Sequence, residues 1–313
     1  MNSRSQIPLD RRPDLIDLAG PDYDVDIGEV GTKTLIICSA PRTGSYELCR
    51  FLLAAGLGIP FEYMHPQFAT QIAPRWGMSA EPLRAENIAP YIEALRLRRV
   101  QNGVFAINLQ YWHFSGFLMN NPANALFTDA FVVYLFRPDI AAQVTSWRVA
   151  TNTGIWDFSG RRTSDPREYP QEMRARAAQF QEDLKFITGE DAGFRELFAL
   201  AGIKPYFMTM EELFRAPREV VGHIAAGLGV KVNEGALTNM IAGRKPYPRD
   251  EAAYARATDG LAAPLRRTRS SYESVPRGLT NFGIGTLAAS GNHSAALRAA
   301  TTRSACLPVS SCR

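Results

Sequence analysis

The sequence predicts an α/β fold, a doubly wound parallel sheet with helices on both faces. Three observations carry that prediction. Strand-length apolar runs, led by residues 34–38 and 131–136, are continuous rather than alternating, the pattern of strands buried on both sides. A helical period follows each of these runs after a short turn containing Pro, Gly or Asp. Strand and helix then alternate along the chain with no internal repeat.

The elements follow in order. Residues 1–30 mix Pro, Gly, Asp and Arg without a period and read as a flexible N-terminal arm. TKTLIICSA, from Thr32, is a β-branched run that ends in the turn PRTGS, and YELCRFLLAAGL follows with Leu48, Phe51, Leu52 and Ala55 at helical spacing. PFEYMHP leads into a Pro-punctuated region, and Ala85 to Arg99 has the pattern of a helix with a mixed charged face. GVFAINLQYWHF is a second strand, FVVYLFRPD a third, and IAAQVTSWRVATNTGIW a helix running to Gly154. Pro170 to Leu200 supplies a long helical region, and KPYFMTMEEL a last strand that turns into a helix. One domain is expected over residues 31–260. A disordered tail, basic and rich in Ser, Ala and Gly, is expected over 261–313.

With 313 residues and 46% hydrophobic content, the chain can bury a full core. Its formal net charge is +4, but from Ala262 onward seven Arg face one Glu, which is +6, leaving −2 for the rest. The body is nearly neutral, and no nucleic-acid partner is expected. No apolar run approaches the roughly 20 residues of a membrane helix. The charged start MNSRSQIPLDRRPD lacks a secretory apolar core, so a soluble, cytoplasmic protein is expected. Cys38, Cys49, Cys306 and Cys312 show neither metal-type pairing nor a disulfide framework, and no metal is expected.

Chemistry-bearing residues gather at two strand ends. In an open α/β sheet ligands bind beyond the carboxyl ends of strands, where Pro41-Arg42-Thr43-Gly44-Ser45 stands directly before a helix. Backbone N–H groups there can surround a phosphate, Gly44 permits close approach, Thr43 and Ser45 offer hydroxyls, and Arg42 is a permanent cation. An ordinary strand-to-helix turn is also rich in Gly, Ser and Thr, so five residues alone do not decide. A triphosphate-binding loop of the form G-x-x-x-x-G-K-[ST] is disfavoured, because its Lys and first Gly are missing. At the second strand end, Arg137 precedes the helix-starting pair Pro138 and Asp139, and Ser146 follows in the helix. A guanidinium and a hydroxyl so placed can hold a second phosphate. Singly, Arg137 reads as a surface ion pair and Ser146 as a helix-face serine. Two phosphate sites on neighbouring strands suit a 3′,5′-bisphosphorylated nucleotide.

Together these segments resemble the bacterial sulfotransferases typified by trehalose 2-sulfotransferase, with relatives acting on lipopolysaccharide and lipo-chitooligosaccharide. LIICSAPRTGSYELCRFLLAAGLGIPFEY is similar to that family's strand, phosphosulfate loop, helix and Glu segment. FRPDIAAQVTSWRVATNTGIW resembles its second signature, and GFRELFALAGIKPYFMTMEELFRAP its late helix and strand. The resemblance spans roughly residues 32–255 and implies the sulfotransferase fold with a P-loop-like phosphosulfate-binding loop. It also implies metal-free transfer of a sulfuryl group from 3′-phosphoadenosine 5′-phosphosulfate (PAPS) to a hydroxyl of a carbohydrate or glycolipid acceptor. Carried over by position, Arg42, Thr43, Gly44 and Ser45 would hold the 5′-phosphosulfate, Arg137 and Ser146 the 3′-phosphate, and Glu62 would be the base.

Glu62 also reads as an exposed loop residue, and His65 is the rival base, since imidazole suits that role near neutral pH. Tyr63, His65, Trp112 and His113 are the acceptor-side candidates. Aromatic residues also fill cores, the better reading for Trp147 and Trp156, and a His such as His113 is commonly a packed, satisfied residue. Family members commonly place Ser or Thr after the G-S pair, whereas this chain has Tyr46, which leaves the loop contacts open. A homodimer follows by analogy alone. A phosphate-loop kinase and a catalytically weak nucleotide-binding or scaffold protein stand as alternatives, and the acceptor's identity stays open.

Overall fold

The computed structural model describes residues 13, 16–25, 32–115, 126–153, 156 and 177–244. Its strands are β1 (Lys33–Ser39), β2 (Val100–Gln101), β3 (Val104–Leu109), β4 (Ala130–Phe136) and β5 (Tyr206–Thr209). They form one sheet in the order β2-β3-β1-β4-β5. The strands β3, β1, β4 and β5 run parallel, as the continuous apolar runs require, and β2 is an antiparallel edge piece on β3. That edge piece is an addition to the expected sheet. Asn102 and Gly103 take positive φ values of 51° and 72° and fold the chain back as a two-residue hairpin, the conformation an Asn-Gly pair favours.

The helices are α1 (Ser45–Ala55), α2 (Pro66–Ile72), α3 (Ile88–Arg98), α4 (Tyr111–Phe114), α5 (Ile140–Thr153), α6 (Ala177–Ala201), α7 (Met210–Arg215), α8 (Pro217–Leu228) and α9 (Glu234–Ala242). GVFAINLQYWHF is therefore a strand only as far as Leu109, after which it turns into the single helical turn α4.

Strand alternation divides the core into two layers. Ile36, Cys38, Phe105, Ile107, Val132 and Tyr134 face one side, where Tyr91 and Leu95 of α3 and Phe194 of α6 cover them. Leu35, Ile37, Val104, Ala106, Val133 and Leu135 face the other, under Phe51 of α1, Val221 of α8 and Leu237 of α9. β1 and β3 are buried on both faces along nearly their whole length, so their hydrogen bonds lie in a layer that excludes water.

The flexible arm expected over residues 1–30 is corrected within 16–25. Leu18 and Tyr23 are buried in the first core layer. The fully buried guanidinium of Arg99 donates to the carbonyls of Leu18 and Gly20 at 2.7 and 3.0 Å and pairs with Asp24 at 2.6 Å. Asp24 of this segment is thus paired with a fully buried guanidinium. The expected tail over 261–313 lies outside the described residues.

After β1 the chain runs through α1 to α3 to reach β3, then crosses to β4 on the other side of β1. The strand order thus reverses at β1, and the crevice beyond its carboxyl end is the place such sheets offer a ligand. Cys38 lies opposite both Leu109 and Tyr134, so the turn after β1, Gln110 after β3 and Arg137 after β4 emerge along one edge. Among the described residues no helix is long and apolar enough to cross a membrane.

Candidate active site

The turn after β1 is shaped from inside. Arg42 and Gly44 adopt left-handed backbone with φ of 68° and 84°. A β-carbon on Gly44 would stand 3.0 Å from the Phe214 ring, so this position needs glycine for conformation and for space. Arg42 pays for the same geometry about 1–2 kcal/mol, strain of a kind concentrated at functional sites. Thr43 is fully buried and its hydroxyl donates to the Ala40 carbonyl at 3.1 Å, a bond within the loop. Gln143 of α5 donates to the Pro41 carbonyl at 2.7 Å and ties the loop to the second strand end.

The two anticipated phosphate sites meet. Arg42 Nε donates to Ser146 Oγ at 3.0 Å, joining residues from the first loop and from α5, and its Nη1 donates to the Trp156 carbonyl at 2.6 Å. Asp139 caps α5 by accepting the Ala142 N–H at 2.9 Å. Arg137 lies at the end of β4 and lines a cavity with Ala40, Thr43, Gln143 and Asp191. Arg42 and Ser146 thus meet at the loop, and Thr43 and Arg137 line the cavity beside it.

Glu62 is buried at 3% exposure rather than standing in an exposed loop. Residues 56–65 run beside β3, where the Asn108 N–H donates to the Phe61 carbonyl at 2.9 Å. The Glu62 carboxylate receives Gln110 Nε2 at 2.5 Å and Asn108 Nδ2 at 3.5 Å. Burial pushes its pKa up to about 7, although the bond from Gln110 and the Arg42 charge pull the other way. Asn108 Nδ2 also reaches Ser45 Oγ at 3.3 Å, so one amide touches both the loop and the carboxylate.

The acceptor-side candidates divide. Tyr63 is a core residue: it is fully buried, its hydroxyl donates to the Ile59 carbonyl at 2.5 Å, and its ring packs edge-on against Phe61. His65, Trp112 and His113 cluster, with ring centroids of His65 5.5 Å from Trp112 and 4.8 Å from His113. His65 Nδ1 accepts the Gln67 N–H and caps α2, and burial lowers its pKa. Trp112 is 41% exposed, with its indole N–H on Gln110 Oε1 at 3.1 Å. His113, expected to be a satisfied residue if packed, is 4% exposed with neither ring nitrogen bonded. Burial, then the neighbouring His65, drives its pKa down to about 2. Trp156 is exposed, not core, and stacks edge-on against Trp147 at 5.3 Å.

Several side chains here had been missed. Asn108 and Gln110 interrupt the apolar run INLQ, a signal that a strand end faces something polar. Glu190 of α6 gave no such signal. Its Oε1 accepts the Trp112 N–H at 2.8 Å, its Oε2 is buried and unbonded, and burial raises its pKa to about 8. Among the described residues no three His, Cys, Asp or Glu side chains are grouped to hold a metal ion.

The fold and this crevice define an α/β protein with an Arg-bearing turn at the switch point of a parallel sheet and a buried carboxylate beside it. The family model for the Stf0 sulphotransferases matches residues 34–245, and the chain belongs to that family. It is a transferase of the sulfotransferase type, as the resemblance of its motifs implied. No curated protein matches it.

Proposed function

We propose that the protein transfers a sulfuryl group from PAPS to a hydroxyl of a carbohydrate or glycolipid, with Glu62 as the base. The observation that carries this reading is the Asn108 amide, within hydrogen-bond reach of Ser45 on the loop and of Glu62. Sulfuryl transfer needs an acceptor oxygen, a group to take its proton and donors at the departing phosphate, all within a few ångströms and in line. Glu62 accepts the hydroxyl proton as the acceptor oxygen forms its bond to sulfur. The bond from sulfur to the 5′-phosphate oxygen breaks, and the bisphosphate leaves with that electron pair beside Arg42 and Ser45. Arg137 and Ser146 take the 3′-phosphate.

Glu62 suits the base role better than His65. A neutral imidazole whose Nδ1 accepts a backbone N–H carries its proton on Nε2 and has no free lone pair to offer. A carboxylate with a pKa near 7 takes a proton readily at neutral pH. The exposed face of Trp112, with the unbonded nitrogens of His113 behind it, supports a hydroxyl-rich acceptor with one apolar face.

Calorimetry with adenosine 3′,5′-bisphosphate tests the donor assignment. The parent protein is expected to bind, and Arg42→Ala and Arg137→Ala each to lose at least about tenfold in affinity. A parent protein that does not bind the bisphosphate would falsify the assignment.

A further inference from the structure

Beyond β3 the backbone stays extended for one more residue, Gln110 with φ of −102° and ψ of 143°, so its side chain leaves on the same face of the pleat as that of Asn108. Both amides reach Glu62, Asn108 at 3.5 Å and Gln110 at 2.5 Å. Gln110 has a second partner, because its Oε1 accepts the Trp112 indole N–H at 3.1 Å. We propose that Gln110 is a positioning residue whose amide fixes the Glu62 carboxylate and the exposed Trp112 ring relative to one another, coupling the acceptor platform to the base. The proposal rests on the reading of Glu62 and Trp112 given above and adds to it the residue that joins them.

The two partners leave the amide one orientation. An indole N–H can only donate and an ionised carboxylate can only accept, so the carbonyl must face Trp112 and the NH2 group must face Glu62. Gln110 is 8% and Glu62 3% exposed, so little water reaches the pair to replace their bond. Trp112 is held from another side as well: its backbone N–H donates to Glu190 Oε1 at 2.8 Å. The Gln110 carbonyl accepts the His113 N–H at 3.1 Å and so opens the turn that carries Trp112. The indole is thus tied to α6 through its backbone and to the base through its ring nitrogen, and a shift of the ring reaches Glu62 through a single amide.

The charged and titratable groups about Glu62 are Arg42 of the loop, Tyr46 and Cys49 of α1 and Glu190 of α6. His65 and His113 face Trp112, with ring centroids 5.5 and 4.0 Å from it. Burial keeps Tyr46 and Cys49 neutral, and burial with the neighbouring His65 takes His113 down to about 2. Burial also moves His65 below its ordinary value and raises Glu190 to about 8, so a pH reading at Trp112 is taken against Glu62→Gln. Removing the Gln110 amide withdraws a bond that favours ionised Glu62 and raises the pKa of that carboxylate.

The test follows the indole N–H resonances of protein carrying isotope-labelled tryptophan between about pH 5 and pH 9, with Trp112→Phe identifying the Trp112 signal. The parent is expected to show a step at Trp112 with its midpoint near pH 7, and Glu62→Gln to lack it. Gln110→Met keeps the length of the side chain and removes both bonds, and there the step is expected to shrink at least about threefold. The Glu62 midpoint itself is read from urea denaturation of each protein against its Glu62→Gln partner. That stability gap widens as pH rises above the unfolded value of 4.5 and levels off at the folded pKa, about 7 in the parent. In the Gln110→Met pair it is expected to level off about one pH unit higher, and in the Trp112→Phe pair to move the same way by less. Bisphosphate affinity of Gln110→Met within about twofold of the parent reports an intact donor loop.

A Trp112 step of full size in Gln110→Met overturns the proposal, as does a Glu62 midpoint that stays where the parent has it. Should Gln110→Met not fold, the Trp112→Phe pair decides alone, and an unmoved midpoint there overturns it. A loss of about tenfold or more in bisphosphate affinity on Gln110→Met also overturns it, because Gln110 then belongs to the donor site. If the parent binds the bisphosphate and Trp112 shows no step that Glu62→Gln removes, the coupling fails while the donor reading stands. If the parent does not bind, the donor reading is lost, and the role of Gln110 in the reaction with it.

Discussion

Glu62 sits at 3% exposure with a pKa near 7, against an ordinary value of 4.5, so its ionised form is held at the expense of the fold. Between those two values the unfolded chain has lost its proton and the folded chain keeps it, so rising pH lowers stability across that range. The cost is complete above pH 7 at about 3 kcal/mol. Glu62→Gln is accordingly expected to match the parent in urea denaturation near pH 4 and to exceed its stability by up to that amount at pH 8. The same variant is expected to lose about 10²- to 10⁴-fold in turnover while retaining bisphosphate binding. In the parent, the acid limb of the rate profile should have its midpoint near pH 7, because protonated Glu62 is too weak a base to take the acceptor proton. A midpoint near 4.5 would place Glu62 in water.

At the scale of elements, the site depends on two close approaches. Gly58 has φ of 94° and a β-carbon there would lie 2.6 Å from the Ala106 β-carbon, so this glycine lets the Glu62 segment lie against β3. Gly58→Ala is expected to lower stability by at least about 2 kcal/mol and to reduce turnover by shifting Glu62, with bisphosphate affinity little changed. Gly44→Ala should do the reverse, weakening bisphosphate binding tenfold or more through its collision with Phe214 and its strained φ of 84°. Separate titrations of affinity and turnover distinguish the two variants. The strands and most helices were legible because a strand buried on both faces admits only apolar residues, as at Leu35 to Cys38. The hairpin at Asn102-Gly103 was not read, although its dipeptide favours one, because its β2 strand is too short to carry a period.

For the whole molecule, the segment at residues 16–25 completes the first core layer and is joined to the end of α3 by Arg99 and Asp24. Removing the guanidinium leaves the buried Leu18 and Gly20 carbonyls without their donor and opens a large hole in the core, while Asp24 keeps Arg75 and Trp76. Arg99→Ala is therefore expected to cost about 3–5 kcal/mol in chemical denaturation. A loss under about 1 kcal/mol would show that the segment is only loosely attached.

By itself the sequence determined the parallel α/β class, the turn at Arg42 to Ser45 and the second strand end at Arg137, because each rests on local patterns of hydrophobicity, glycine and charge. Ser146 entered beside Arg137 as one of two open readings, and Glu62 entered only through the family motif. Only the tertiary structure decided that Thr43 turns inward, that Tyr63 is core, that Trp156 is exposed and that Gln110 bonds to Glu62. The physical reason is separation along the chain. Asn108 and Ser45 are 63 residues apart and Arg42 and Ser146 are 104 apart, so their meeting depends on strand order and register, which no local pattern encodes. Burial acts the same way: the pKa of Glu62 is set by neighbours from α1 and β3 that only the assembled sheet brings to it.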